Sequence, residues 1–134
     1  MLKRIHHVAI VVPTLEAAWP LWRDLLGLTV TRTATLRNQG VRAALLKAGQ
    51  DEIELLEPLE PANSVGRFLA RTGGGLHHIC FETSDIEAEI AQARARGVAL
   101  IDQAPRAGLA GMVCFLHPKA THGVLIEYAE PREI

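Results

Sequence analysis

The sequence predicts an α+β fold made of two tandem modules, each with the order strand, helix and three strands. The segment IHHVAI at residues 5–10 recurs 71 residues later as LHHICF at 76–81, and IELLEP at 53–58 recurs 73 residues later as IEYAEP at 126–131. Both repeats keep their order and nearly keep their spacing, which indicates a duplicated unit. A chain of 134 residues has room for one domain, so the two modules share it.

Module one covers about residues 1–60 and is followed by a linker over about 61–75. Alternating apolar and β-branched residues predict its strands at 5–12, 28–36, 41–48 and 52–57. A helix over 15–26, opened by Thr14, carries one apolar face. Pro20 lies inside this helix and removes a hydrogen bond there, so we expect a bend before Leu21.

Module two covers about residues 76–134, after a linker that contains a short helix signal over 64–71 and three consecutive glycines. Ser84 and Glu87 have the spacing of a capping box, which predicts a helix from Ser84 to about Arg96. Strands are predicted at 98–101, 112–117 and 123–129.

Composition excludes several classes of protein. Fourteen basic and fifteen acidic residues, with no basic run, lack the electrostatic footprint of a nucleic-acid-binding protein. No apolar run approaches the roughly 20 residues that a membrane-spanning helix needs, and no signal peptide is recognisable, so the cytoplasm is the expected location. Cys80 and Cys114 fit reduced thiols in the core.

Strand alternation points to a metal site. In the first strand the bulkier residues Val8 and Ile10 should cover the helix, which leaves His7 on the opposite face. The same argument and the repeat place three further donors on the helix-free faces. An approximate twofold axis between the modules would bring four side chains to one centre: His7, Glu54, His78 and Glu127.

Two imidazoles and two carboxylates without a thiolate favour one divalent ion among Mn, Fe, Co, Ni and Zn. Four protein donors on an octahedral ion leave two adjacent positions for neighbouring substrate oxygens, where the ion would stabilise an enolate. A lone strand histidine is more often structural, but recurrence of a buried His with a carboxylate favours ligation. His6 and His77 are expected at strand edges or as neighbours that support the ligands, although a one-residue register shift would exchange their roles with those of His7 and His78.

Four further residues are predicted outside the metal group. His117 and His122 flank a turn and should be exposed. Glu57 and Glu130 precede prolines at strand ends, which favours solvated caps.

Over nearly its whole length the chain resembles the vicinal oxygen chelate superfamily, and within it the methylmalonyl-CoA epimerases. The resemblance is carried by the two repeats and by QGV at 39–41, PRAG at 105–108, FLHPK at 115–119 and GVLIE at 123–127. It implies βαβββ modules that form a cupped mixed sheet around a metal ion. It also implies a homodimer and an isomerase that epimerises methylmalonyl-CoA, or a related acyl-CoA, through a metal-bound enolate.

The resemblance implies roles for individual residues. Some members place a catalytic glutamate two residues after the Gln-Gly-Val motif, where this chain has Ala43. Glu127 or Glu54 is therefore the expected base, as implied for glyoxalases. Lys119 and Arg106 are expected to contact phosphate or carboxylate groups of the substrate.

Two other functions remain open. A glyoxalase I-like lactoylglutathione lyase shares the His/Glu/His/Glu set, but its relatives carry a different turn before the last ligand strand from the His117-Pro118-Lys119 found here. A non-enzymatic small-molecule-binding or resistance protein can use the same fold, but such proteins usually lack the metal residues.

Overall fold

The structure is a computed structural model that describes residues 1–132. Within that range no helix is both long enough and apolar enough to cross a bilayer. Its elements in chain order are β1 Leu2–Val11, α1 Leu15–Trp19, a π-helical segment Pro20–Leu25, β2 Thr29–Leu36, β3 Val41–Ala48, β4 Asp51–Pro58, α2 Ser64–Thr72, β5 Gly75–Thr83, α3 Ile86–Ala95, β6 Arg106–Gly108, β7 Gly111–Leu116, a 3₁₀ helix Pro118–Ala120 and β8 Ile126–Glu130.

The chain divides into two compact units, residues 7–77 and residues 1–6 together with 78 onward. In the first unit the strand order is β2-β3-β4-β1, with β1 parallel to β4 and the other neighbours antiparallel. In the second the order is β5-β8-β7-β6, again with one parallel pair, β5 and β8. Each unit therefore repeats one topology, and the predicted mixed α+β fold of tandem βαβββ modules is confirmed.

The core of the first unit lies between its sheet and the helix that follows β1. Leu15 and Ala18 of α1 pack against Val12, Ala44, Leu46 and Leu55, with Ile10 and Ile53 at the edge of the cluster. Because strand side chains alternate, the residues between these positions lie on the other face of the sheet. The predicted placement of His7 and Glu54 away from the helix is confirmed.

The second unit repeats this arrangement. Ile86 and Ile90 of α3 pack on Cys114, with Tyr128 and Leu100 beside them. The opposite face carries a separate buried cluster, made of Cys80, Ala110, Val113 and Ala129. Alternation places His78 with Cys80 and Glu127 with Ala129, on the face that α3 does not cover.

Pro20 changes the type of helix. Helix α1 ends at Trp19, and the chain continues as a π-helical segment in which the Leu26 N–H donates to the Leu21 carbonyl at 2.9 Å. Since Pro20 has no N–H to donate, the α-helical ladder is interrupted there and the wider turn takes over. The helical segment covers the predicted residues 15–26, but its second half is π-helical where a bent α-helix was expected.

Two predictions in module two are wrong. Residues 98–101 form only an isolated bridge between Leu100 and Leu116, while a short strand, β6, lies at Arg106–Gly108. The Asp102 carboxylate accepts the Phe115 N–H at 2.8 Å and so replaces a strand partner. The cap of α3 is Asp85, not Ser84, because the Asp85 carboxylate accepts the Ala88 N–H at 3.1 Å.

The glutamates at the ends of β4 and β8 are helix caps. Glu57 Oε1 accepts the N–H of Leu15 at 2.7 Å, and Glu130 Oε1 accepts the N–H of Ile86 at 3.0 Å. Leu15 and Ile86 are the first residues of α1 and α3, where backbone N–H groups lack helical partners and favour negative charge. Both carboxylates are caps, as expected, but they are partly buried rather than solvated, and each ties its module's last strand to its helix.

We expect Glu130→Ala to lower the free energy of unfolding by about 1 kcal/mol, because it removes a helix-capping acceptor. Glu130→Gln keeps an oxygen at that position and should lose less. Urea unfolding of the two variants and the wild type measures the difference. Equal losses in both variants, or no loss in Glu130→Ala, would show that the capping bond does not contribute to stability.

Candidate metal centre

In the first unit, His7 of β1 and Glu54 of β4 form a buried pair. His7 Nε2 lies 3.3 Å from Glu54 Oε1, and the residues are 1% and 5% exposed. The parallel register sets Ala9, two residues beyond His7, opposite Glu54. A carboxylate buried to this extent needs a cationic or hydrogen-bonding partner. The pair is therefore a position where a cation would be stabilised.

In the second unit, His78 of β5 and Glu127 of β8 form the equivalent pair. His78 Nε2 lies 3.0 Å from Glu127 Oε1, and both residues are about 5% exposed. Here Cys80, two residues beyond His78, stands opposite Glu127. The strand register around the two pairs is therefore identical, as the sequence repeat predicts.

The two pairs together contain the four predicted ligands. His7, Glu54, His78 and Glu127 each offer one ligand atom for a metal ion, an imidazole nitrogen or a carboxylate oxygen. Two imidazole nitrogens and two carboxylate oxygens suit a divalent first-row ion. The donor set is thus compatible with a divalent metal site.

Phe115 connects His78 to the predicted substrate residue Arg106. The rings of His78 and Phe115 meet edge to face with centroids 5.1 Å apart, and the Arg106 guanidinium lies 5.8 Å from the Phe115 ring centroid. Asp102 holds both neighbours, since its Oδ1 lies 3.1 Å from Arg106 Nε while Oδ2 accepts the Phe115 N–H. Phe115 was missed as a site neighbour by sequence reasoning, although it opens the FLHPK motif.

Lys119 stands apart from this chain of contacts. It is exposed on the 3₁₀ helix Pro118–Ala120, and its backbone N–H donates to His117 Nδ1 at 3.1 Å. The structure therefore places Arg106 close to the second pair through Phe115, whereas Lys119 faces solvent. His117 and His122 are exposed, as predicted.

The histidines next to the predicted ligands have different surroundings. His77 is half-buried and meets Phe68 edge to face, with centroids 4.9 Å apart. His6 is 6% exposed and offers a donor atom within 4.8 Å of the Cys80 sulfur. Because His6 precedes the predicted ligand His7 in β1, this position agrees with the expectation of a strand-edge residue or a neighbour of the ligands.

Ala43 lies on the same face as the first pair. In the antiparallel register of β3 and β4, Leu45 stands opposite Glu54 and Ala43 opposite Leu56. Ala43 is fully buried, whereas its neighbour Ala44 packs under α1 on the other face. A side chain at position 43 would therefore extend from the face that carries Glu54.

This duplicated topology with one His–Glu pair in each unit defines a class of protein. The family model described as the glyoxalase/bleomycin resistance protein/dioxygenase superfamily matches residues 6–115. The chain belongs to this superfamily.

Several of the similar proteins are named as epimerases. The ethylmalonyl-CoA/methylmalonyl-CoA epimerase of Cereibacter sphaeroides is 38% identical, over 95% of this chain and 97% of that protein. The mitochondrial methylmalonyl-CoA epimerase of Mus musculus is 36% identical, over 94% of this chain and 72% of its own length. The structure of a Streptomyces coelicolor methylmalonyl-CoA epimerase variant in complex with 2-nitronate-propionyl-CoA has a TM-score of 0.94 and 38% identity, covering 100% of this chain and 98% of that one.

Proposed function

We propose that this chain is a metal-dependent isomerase that interconverts the epimers of methylmalonyl-CoA or a related acyl-CoA. The observation that carries the proposal is the buried His–Glu pair repeated in both modules, with atoms 3.3 and 3.0 Å apart. The relatives named as epimerases match nearly the whole chain, so the likeness is not confined to one module.

His7, Glu54, His78 and Glu127 would hold one divalent ion, which is Co, Ni, Mn, Zn or Fe by the chemistry of the donors. When bound, such an ion supplies Lewis-acid stabilisation of the negative charge that develops on substrate oxygens as a neighbouring C–H bond breaks. The burial of all four residues excludes water around them, which strengthens every electrostatic interaction in the group.

The carboxylates of Glu127 and Glu54 are the groups available to move the proton. The acidic C–H lies between the thioester and the carboxylate of the substrate, and a carboxylate oxygen within hydrogen-bond reach can accept its proton. Return of a proton to the opposite face of that carbon completes the epimerisation. Ala43 offers no base, so the chain relies on Glu127 or Glu54 for this step.

Arg106 is suited to bind an anionic group of the substrate. Its guanidinium is fixed by Asp102 on one side and by the Phe115 ring on the other, while the side chain is 32% exposed. A guanidinium held in place loses little freedom when it binds a carboxylate or phosphate in bidentate fashion. Lys119, exposed on its short helix, would attract the phosphates of a CoA ester as a point charge.

The proposed reaction predicts that chelator-treated protein fails to exchange the α-proton of methylmalonyl-CoA in deuterated water, and that a divalent ion restores the exchange. Proton nuclear magnetic resonance of the substrate measures it directly. The hemithioacetal of methylglyoxal and glutathione serves as the comparison substrate. Isomerisation of the hemithioacetal without exchange of the acyl-CoA proton would instead identify a glyoxalase I-like lyase, and tight ligand binding without either reaction would indicate a binding protein.

Cytoplasmic location and a homodimer stay predictions for this chain.

A further inference from the structure

Arg106 lies on the same face of the second unit's sheet as Glu127. In the antiparallel registers, Arg106 of β6 stands opposite Val113 of β7. Phe115, two residues further along β7, stands opposite Glu127 of β8. Residues that pair across strands share a face, and so do residues two apart in one strand. The Arg106 side chain therefore starts from the face that carries Glu127, on the strand that ends the order β5-β8-β7-β6.

Two contacts fix the Arg106 guanidinium on that face. Its central carbon lies 5.8 Å from the centroid of the Phe115 ring, and the same ring meets His78 edge to face. Asp102 Oδ1 lies 3.1 Å from Arg106 Nε, while Asp102 Oδ2 accepts the Phe115 N–H. The Asp102 carboxylate is thus divided between two partners. One aromatic ring separates the guanidinium from the His78 imidazole.

We propose that Arg106 binds the carboxylate of the substrate's acyl group and so selects carboxylated acyl-CoA esters, and that Asp102 is the positioning residue that fixes its guanidinium. This role rests on the proposed function, since it belongs to the same site. The two Nη groups form the edge of a guanidinium that binds a carboxylate through two parallel hydrogen bonds. Asp102 contacts Nε, so it orients this edge rather than occupying it, and the Arg106 side chain is 32% exposed.

The position of Arg106 favours the acyl carboxylate over the phosphates of CoA. In methylmalonyl-CoA the carboxylate is bonded to the carbon that loses its proton, whereas the phosphates are separated from that carbon by the whole pantetheine arm. Arg106 is one ring away from His78 and shares a face with Glu127, the pair proposed to act at that carbon. Charge-assisted, bidentate hydrogen bonds are strong enough for a preference of about tenfold or more.

Calorimetric titration of the full chain, saturated with Co²⁺, tests the role of Arg106 with malonyl-CoA and acetyl-CoA, which differ only in the carboxylate. The wild type should bind malonyl-CoA about tenfold or more tightly than acetyl-CoA. Arg106→Gln should weaken malonyl-CoA binding about tenfold and leave acetyl-CoA binding within about twofold. Equal weakening of both esters would indicate a phosphate contact and overturn the inference. No preference in the wild type, or an unchanged preference in Arg106→Gln, would overturn it as well.

Asp102→Asn tests the positioning role. Asparagine keeps an oxygen that can accept the Phe115 N–H but removes the negative charge beside Arg106 Nε. We expect malonyl-CoA binding to weaken about threefold, acetyl-CoA binding to stay unchanged, and the double variant to bind no more weakly than Arg106→Gln alone, because coupled residues are not additive. Additive losses in the double variant would show that Asp102 acts independently of Arg106 and would refute its positioning role.

Arg94→Gln is the matched control. Arg94 lies beside the same loop, but it donates to the Gln103 carbonyl from α3, which covers the other face of the sheet. Its affinities for both esters should match those of the wild type. Arg106→Lys keeps the charge without the two parallel donors, so it should restore only part of the malonyl-CoA affinity that Arg106→Gln loses.

The titration also separates this inference from the proposed function. A malonyl-CoA preference that Arg106→Gln abolishes, in a wild type that exchanges no α-proton, would refute the proposed function and leave the carboxylate site standing. Full α-proton exchange in the wild type, with equal weakening of both esters in Arg106→Gln, would refute the carboxylate site and leave the proposed function standing.

Discussion

Glu127→Gln is expected to reduce α-proton exchange in methylmalonyl-CoA about 100-fold or more. Glutamine keeps the size of the side chain but removes the negative charge beside His78, which lies 3.0 Å away. The substitution takes away one anionic donor of the proposed ion and one of two carboxylates able to accept the proton, and a positioned general base alone contributes about 10²–10⁴-fold. The exchange rate in deuterated water, with saturating divalent ion, measures the effect.

Glu130→Gln is the matched control for this substitution. Glu130 lies three residues further along β8, is partly buried, and accepts the Ile86 N–H at the start of α3. Glutamine keeps an accepting oxygen there, so we expect exchange within about twofold of the wild type, as for a surface change away from the site. Similar exchange rates in the two variants would contradict a special role for Glu127.

Ala43→Glu is expected to raise the exchange rate about tenfold. Ala43 lies on the same face of β3 as Leu45, and Leu45 stands directly opposite Glu54. A carboxylate at position 43 would therefore extend from the same face of the sheet as the first His–Glu pair. The family resemblance implies a catalytic glutamate at this position in some members. A positioned general base contributes about 10²–10⁴-fold to the rate. We expect a smaller gain here, because burial disfavours the charged form of the added carboxylate.

Ala43→Gln separates the base from the added volume. Glutamine fills the same space at this fully buried position without a group that can accept the proton, so its rate should not rise. Thermal unfolding of both variants checks that the overfilled core still folds. A folded Ala43→Glu protein with an unchanged or lower rate would argue that position 43 does not face the substrate.

Strand alternation and the repeat were enough to predict the His–Glu pair of each unit. The period of two placed His7 and Glu54 on the face opposite α1, and the duplication transferred this result to His78 and Glu127. These predictions succeeded because a one-residue register slip would expose the apolar residues that pack under each helix, so the hydrophobic pattern sets the register strongly. The same cause explains why Ala9 stands opposite Glu54 and Cys80 stands opposite Glu127 in equivalent registers.

Side-chain hydrogen bonds decided the features that were predicted wrongly. Asp102 takes a partner 13 residues away and competes with regular strand pairing, which propensity arguments do not include. The Asp85 cap is local, and Ser84 and Asp85 were adjacent candidates that the sequence does not separate. Glu57 and Glu130 carried a usable signal, since both belong to the repeated segments, but an equivalent position alone does not distinguish a helix cap from a solvated residue.

The position of Arg106 also depended on the fold. Its environment is built by Asp102 and Phe115, which come from a loop and from β7, so sequence spacing indicated a basic residue but not its partners. Cys80 is a similar case. The sequence indicated a core thiol, whereas the structure sets its sulfur near the imidazole of His6.

The most direct measurement is an anomalous difference map from crystals of the chelator-treated protein reloaded with Co²⁺. The account predicts one strong peak per chain, bonded to His7, Glu54, His78 and Glu127 together. A peak bonded to only one of the two His–Glu pairs, or no peak near either pair at saturating Co²⁺, would contradict it.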